Sequence, residues 1–307
     1  MTKMRINYIT SLLLLVFGFL NAQQEPQYTQ YMYNMSIVNP GYMMDELGLV
    51  EVGSLYRTQW VGIDGAPKTA NVFANIPLND KIELSINYLN DYIGDPVNMS
   101  ENQFNVDAAY RILLKNGLNM SFGLKAGFDH LNFSALGSNV GNDPLFQNSK
   151  KTVLNIGAGV FAFKEQYYIG FSAPNLIPTE INSNDGIVYK DDAHLFLIGG
   201  YVFTLNNSLK LKPSTVVKYV SGAPLSFDVS ANALLHDRFE LGLSYRYQDA
   251  IAGLIGIYVT RDLRLGYAYD YNTSGLKNYN SGSHEFILIY RFDVLGIGRK
   301  YISPRFY

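Results

Sequence analysis

The stretch Leu225 to Leu235, LSFDVSANALL, alternates apolar and polar side chains. Leu225, Phe227, Val229, Ala231, Ala233 and Leu235 fall on one side; Ser226, Asp228, Ser230 and Asn232, with Leu234, fall on the other. Residues two apart share a strand face, so the segment reads as a β-strand with one greasy and one polar side. Asn119 to Asp129 repeats the pattern, with Met120, Phe122, Leu124, Ala126 and Phe128 opposing Ser121, Gly123, Lys125, Gly127 and Asp129. So does Asp262 to Tyr271, where Leu263, Leu265, Tyr267, Tyr269 and Tyr271 oppose Arg264, Gly266, Ala268 and Asp270. Each segment runs for about ten residues, the length of a tilted transmembrane strand; ordinary strands average about five or six.

Working outward, about 14 such segments follow one another: 47–60, 68–77, 81–92, 101–113, 117–130, 151–164, 166–174, 192–205, 208–220, 224–235, 238–248, 250–260, 262–272 and 282–293. Every second connection is minimal: Asn79-Asp80, Lys115-Asn116, Glu165, Asn206-Asn207, His236-Asp237 and Arg261. The others are mostly longer: Val61 to Pro67, Ile93 to Ser100, Leu131 to Lys150, Asn175 to Asp191 and Thr273 to Ser281. A soluble sandwich also alternates, but it has no reason to sort its loops by length. Short turns at one end and long loops at the other are the signature of an up-and-down antiparallel outer-membrane β-barrel. An even strand number puts both ends of the barrel at the short-turn, periplasmic side.

The faces are consistent with that reading. Tyr56, Tyr92, Tyr110, Tyr201, Tyr219 and Tyr271 stand near segment ends, where a ring can lie in the apolar layer and its hydroxyl in water. The opposite face carries Glu83, Asp107, Arg111, Lys125, Asp129, Asp228, Glu240, Arg246, Arg264, Asp270, Glu285 and Arg291. Ionisable groups cannot face hydrocarbon cheaply, so these must turn inward as a hydrogen-bonded lumen network. Their mixed sign argues against a selective ion pathway. Positions 51, 53, 55 and 57 share a face, which sets Arg57 beside Glu51 as a further internal ion pair.

The composition excludes much else. Of 307 residues 48% are hydrophobic and only 16% charged, against about 25% in an average chain. The chain is therefore not a disordered polyelectrolyte. Mean hydropathy near zero argues against a polytopic helical membrane protein. The absence of Cys removes disulfide scaffolds, thiolate zinc sites, Cys nucleophiles and lipoprotein acylation. A net charge of −2 gives no footprint for nucleic acid. At the N-terminus Lys3 and Arg5 precede an apolar run from Ile9 to Leu20, which reads as an export signal ending near Ala22. The run is too short to span a bilayer as a helix.

No constellation points to catalysis. The four histidines, 130, 194, 236 and 284, are scattered, and no HExxH motif occurs. His284 and Glu285 are strand neighbours and point to opposite faces, so they cannot act on one substrate atom. Ser283 with His284 is the sole nucleophile–base candidate, and no third orienting group accompanies it. Asp91, Asp95, Asn142 and Asp143 fall in outer loops, where solvated carboxylates are commoner than a Ca²⁺ site. No metal, cofactor or small-molecule substrate is therefore expected.

The residues after the export signal, EPQYTQYMYNMSIVNPGYM, resemble the opening of the PorP/SprF family through Gln30-Tyr31-Met32, Asn34 and Asn39-Pro40. The resemblance continues in YRTQWVGIDGAPKT at Tyr56 to Thr69, through Arg57, Gln59, Trp60, Gly62, Gly65, Ala66 and Pro67. It runs on in order through NIGAGVFAF, YYIGFSAPNL, LKPSTVVKYVSGAPLSFDVSANALL, LGLSYRYQDAI, LGYAYDY, GSHEF and the closing SPRFY. The resemblance implies an outer-membrane protein of the type IX secretion and gliding system of Bacteroidetes. Such a barrel would join the secretion machinery or hold a secreted surface protein, such as a gliding adhesin, at the cell surface.

The expected organisation is an export signal over 1–22, an N-terminal segment over 23–46 at the periplasmic mouth or in the lumen, a barrel over 47–293 and a periplasmic tail over 294–307. Polar Gln and Asn in the N-terminal segment suit a plug. Pro67 fixes φ in the first outer loop, and Trp60 stands where an interface anchor belongs. The residues expected to meet a partner are Gln30, Tyr31, Met32, Asn34, Asn39, Pro40, Gly65, Ala66, Pro67, Gly282 and Ser283, with the outer loops 131–150, 175–191 and 273–281. A passive porin is the alternative that the lumen charges alone would permit.

Overall fold

The computed structural model describes residues 26–44, 48–94, 98–133, 149–183 and 186–294, with backbone alone for 180–183 and 186–190. The export signal, the tail beyond Val294, Asp95, Asn142, Asp143 and most of the loop 131–150 lie outside these residues. The strands are β1 (Leu49–Thr58), β2 (Lys68–Pro77), β3 (Ile82–Ile93), β4 (Met99–Leu113), β5 (Asn119–Phe133), β6 (Ser149–Phe163), β7 (Tyr167–Asn175), β8 (Thr179–Ser183), β9 (Gly186–Asp191), β10 (His194–Tyr201), β11 (Phe203–Asn206), β12 (Leu209–Val220), β13 (Ser226–Leu235), β14 (Phe239–Arg246), β15 (Ala250–Tyr258), β16 (Leu263–Asn272) and β17 (Ser283–Asp293).

Fourteen of these close into one antiparallel barrel. Each neighbours the next in order, and β17 returns to pair with β1 from Leu49↔Asp293 to Thr58↔His284. The remaining three are additions to that ring. β8 and β9 form a separate hairpin inside 175–191, where the sequence pattern predicts only a long outer loop. β11 continues the line of β10 and pairs with the lower part of β12. The expected single strand 192–205 is thus broken at Val202, whose side chain turns inward onto Leu234 and Tyr258.

The short turns are tight. His236 and Asp237 both adopt left-handed backbone, φ 52° and 49°, at the centre of a turn that the Arg238 N–H closes on the Leu235 carbonyl, within a three-residue connection from β13 to β14. The outward set of each strand is apolar and exposed, including Leu124, Leu154, Leu243, Ile255 and Phe286. The inward set is buried. Among the described residues no helix is long and apolar enough to cross a membrane; this chain crosses with strands.

Residues 26–44 occupy the lumen. Thr29 lies against Asp270 and Glu285 near the long-loop end, whereas Met44 reaches Glu83 beside the short-turn end. Between them run a 3-10 turn, Tyr31–Tyr33, and one helical turn, Met35–Val38. Both are apolar on nearly every side, because wall surrounds them. Tyr31, Met32, Tyr33, Met35, Val38, Tyr42 and Met44 join Leu55, Phe73, Phe161, Phe196, Ile198, Ile287 and Ile289 of the wall in one core. The lumen is therefore not uniformly polar: the segment is held by apolar packing as well as by hydrogen bonds.

Pro40 ends the helical turn, since the residue before proline is pushed out of the helical region. Asn39 then accepts from the Gly41 N–H at 2.8 Å and donates to the Val160 carbonyl at 3.1 Å. Ser172 donates to Val38 O at 2.6 Å, and the Ser121 hydroxyl donates to Gly41 O. Room for this turn comes from Gly123, Gly159 and Gly170 on β5, β6 and β7, where any Cβ would fall onto Pro40 or Asn39. A Gly123→Ala substitution should overpack this seat and destabilise the barrel by about 1–3 kcal/mol. Gly253→Ala, which meets open space, should not; the temperature at which the detergent-solubilised barrel loses its folded gel mobility measures both.

Candidate functional site

The segment is fastened at its outer end by buried charge. Arg57 on β1 bonds Asp270 on β16 at 2.7 Å and Glu285 on β17 at 3.1 Å, and all three are almost fully buried. Thr29 inserts its hydroxyl between them, donating to Asp270 at 2.7 Å and accepting from Arg57 at 3.1 Å. The backbone N–H groups of Thr29 and Gln30 complete the shell by donating to Glu285 at 2.9 and 2.7 Å. Burying such charges is tolerable only when their hydrogen-bonding capacity is met. Here the N-terminal segment helps to meet it.

The expected partnership of Arg57 with Glu51 does not occur. The two share a face but lie six residues apart on one strand, about 20 Å at the rise of a β-strand. Glu51 instead bonds Arg291, which stands directly opposite it in the β1–β17 register, at 2.9 Å. The pairs of Glu51 and of Arg57 thus both form across strands.

The rest of the inward charge is distributed along the wall. Asp228 pairs with Arg246 at 2.9 Å. Lys125 lies 3.8 Å from Asp107 and donates to the Ile37 carbonyl of the lumenal segment at 3.2 Å. Glu240 holds Arg264, whose guanidinium lies 3.4 Å above the ring of Tyr33. Lys212 approaches the same ring at 5.0 Å, so two cations face one aromatic face system. Glu83 accepts the Met44 N–H. Asp129 is buried on β5. Arg111 differs from the others: it sits at the short-turn rim and donates to the Asp80 carbonyl at 2.7 Å.

Gln30, Tyr31, Met32, Asn34, Asn39 and Pro40 are all buried inside the barrel. With the segment seated, a partner outside the barrel meets none of them. Gly65, Ala66, Pro67 and Ser283 instead line an open vestibule of about 750 Å³ at the long-loop end, floored by Pro26 and Gln27. Its rim is stitched together by backbone. Val61 N–H donates to Gly282 O, Ser281 N–H to Val61 O, and Gly94 N–H to Gly65 O. Gly65 and Gly282 have φ of 75° and 86°, left-handed backbone that favours glycine. Trp60 is on this rim, its backbone N–H donating to the Ser283 hydroxyl at 3.1 Å.

Asp91 lies on β3 and points into the lumen, where it accepts from Thr69 at 2.5 Å; it is not a loop residue. Thr29, Tyr33 and the glycine seat are functional features that the sequence pattern does not mark. Thr29 carries no charge to mark it, but the inward parity of Asn87, Leu89 and Asp91 could have placed Asp91. His284 contacts Tyr267 at 2.7 Å while Glu285 is buried on the other face. Among the described residues no three His, Asp or Glu side chains are grouped to hold a metal.

A closed barrel with an apolar, aromatic outer wall and a lumen filled by its own N-terminal segment is a plugged outer-membrane β-barrel protein. Residues 20–290 match the family described as type IX secretion system membrane protein PorP/SprF, and the chain belongs to that family. It is an integral outer-membrane barrel component of the type IX secretion system. No curated protein matches the sequence. Among solved structures, the chain is similar to a Pseudomonas aeruginosa FadL homologue at 11% identity, over 90% of this chain and 96% of that one, with a TM-score of 0.53. It is also similar to the Ralstonia pickettii toluene transporter TbuX at 9% identity, over 85% and 92% of the two chains, with a TM-score of 0.50. Both likenesses concern the fold alone.

Arg57→Ala should leave buried Glu285 without a guanidinium and Asp270 with Arg246 alone, at 3.6 Å. The expected loss is about 3–5 kcal/mol of stability, together with faster amide exchange at Thr29 and Gln30, read by hydrogen–deuterium exchange of the detergent-solubilised protein.

Proposed function

We propose that the protein is a non-conducting, non-enzymatic barrel that docks a secreted surface protein, such as a gliding adhesin, at the outer end of the type IX secretion system. The observation that carries this reading is the filled lumen. Residues 26–44 span it from the outer vestibule to Glu83, and the void beside them is only about 80 Å³. A barrel so occupied offers its outer mouth and loops as working surface, and what can dock there is a macromolecule. Ser283 supports the non-enzymatic part: its hydroxyl holds the Trp60 N–H, and His284 faces away from the lumen.

The passive porin is the rival, and conductance separates the two. In planar bilayers the intact protein should show almost no single-channel steps, and removal of residues 23–34 should open a channel with clear ones. Equal conductance in both would overturn the plug. In cells, loss of the protein should release the surface adhesin or secreted cargo while small-solute uptake stays unchanged; retained cargo with reduced uptake would overturn the docking role.

A further inference from the structure

The lipid-facing wall carries charge of one sign and at one end. Among the outward positions of the fourteen barrel strands, tyrosine apart, the ionisable side chains are Lys68, His130, Lys150 and His284. All four are basic, and no carboxylate accompanies them. All four also stand at the long-loop ends of their strands. Lys68 opens β2, Lys150 and His284 are second on β6 and β17, and His130 is three residues from the end of β5. A charge on the lipid face costs most at the bilayer midplane and little at the interface. These side chains therefore sit at headgroup level, on the outer side of the membrane.

Two of them share one spot. Thr58, the last residue of β1, stands opposite Lys68 on β2 and opposite His284 on β17. Two strand spacings, about 10 Å, thus separate the lysine from the histidine, with the threonine between them. Lys68 is exposed and in no ion pair among the described residues. His284 Nδ1 lies 2.7 Å from the Tyr267 hydroxyl. In the tautomer in which Tyr267 donates, Nε2 carries the proton and can give it to an acceptor outside the wall. Tyr269, opposite His284, donates its hydroxyl to the Ser281 carbonyl at 3.0 Å, which fixes this row to the outer rim.

Directly beneath, toward the short turns, the same wall sinks into an apolar groove of about 840 Å³, lined by Tyr56, Leu241, Ile255, Tyr267, Phe286 and Leu288. Tyr56 and Phe286 stand two residues below Thr58 and His284, and Tyr267 belongs to both the groove and the polar row. From β1 to β14 the groove crosses four strand spacings, about 19 Å. That accommodates an acyl chain, since one leaflet of a hydrocarbon core about 30 Å thick is about 15 Å deep.

We propose that this wall binds an anionic, phosphorylated lipid of the outer leaflet. Its phosphate sits over Thr58 between Lys68 and His284, and one acyl chain lies in the groove below. Charge selects the headgroup, because a basic pair with no acid beside it favours an anion. The groove selects a lipid over free phosphate. The site lies on the outside of the barrel and is independent of what docks at its mouth.

The full-length protein in a neutral detergent is titrated with dioleoyl phosphatidic acid and followed by native mass spectrometry. A first lipid adduct should form saturably. The K68Q/H284Q variant should need about ten times more lipid for it, the effect of two basic groups at a charged lipid surface. H130Q/K150Q, which removes the other basic pair but leaves the groove's headgroup row intact, should bind the first lipid as the unaltered protein does. Both variants change outward residues only, so their folded gel mobility should be unchanged. The unaltered protein also tests the proposal alone. Dioleoyl phosphatidylcholine and the short-chain dihexanoyl phosphatidic acid should each bind it much more weakly, and inorganic phosphate should not displace the dioleoyl lipid. Equal binding of phosphatidylcholine, equal loss in the two variants, or displacement by phosphate would overturn the site. So would a dimer that excludes the lipid and is lost in K68Q/H284Q, since a second copy would then cover this wall.

Discussion

A strand in hydrocarbon cannot leave its backbone groups unpaired, and the pairing of β1 with β17 is where this chain meets that requirement. Once the ring closes, each strand has one face in lipid and the other enclosed. The enclosed face must then be satisfied from within. Part of the answer is electrostatic, in cross-strand pairs such as Glu51–Arg291 and Asp228–Arg246. The remainder is steric: inward Leu55, Phe73, Phe161 and Ile287 would face an empty lumen if residues 26–44 did not cover them. The plug and the wall therefore share one core, unlike a channel whose lining need only meet water.

The closed ring also gives physical content to the stretches shared with the family. The Asn39-Pro40-Gly41 turn requires a floor without side chains, and Gly123, Gly159 and Gly170 supply it from three strands that are distant in sequence. The Gln30 side chain lies against Gly266 in the same way. The first outer loop is tied to the last through Val61, Ser281 and Gly282, and to the second through Gly65 and Gly94. The segments that resemble the family are thus mostly the two halves of contacts between plug, wall and rim.

Much of the barrel was legible in the sequence because period two and loop length are local signals. All fourteen barrel strands fall on the alternating segments, with ends shifted by a few residues. What escaped was non-local. Arg57 was matched to a carboxylate on its own strand, when its partners stand on two other strands at the same height. The break at Val202 depends on Leu234 and Tyr258, which no pattern within β10 announces. The β8–β9 hairpin sits in a loop whose residues alternate too weakly to register. At the candidate site, the docking residues on the rim were readable as loop glycines and proline. Those of the N-terminal segment were readable as a motif, but their burial depends on partners up to 256 residues away.

That distance bears on how the molecule is assembled. Thr29 and Gln30 precede the first strand of the barrel, and their anchors, Asp270 and Glu285, are on its last two strands. Contacts of such wide sequence separation form late and slowly, because the loop they close must be ordered first. The outer end of the N-terminal segment must therefore wait for β16 and β17, while its inner end has Glu83 and β5 to β7 to hold it. The same two strands complete the ring, since β17 pairs with both β16 and β1. Closing the wall and fastening the outer end of the plug thus depend on the arrival of one hairpin, the last of the barrel.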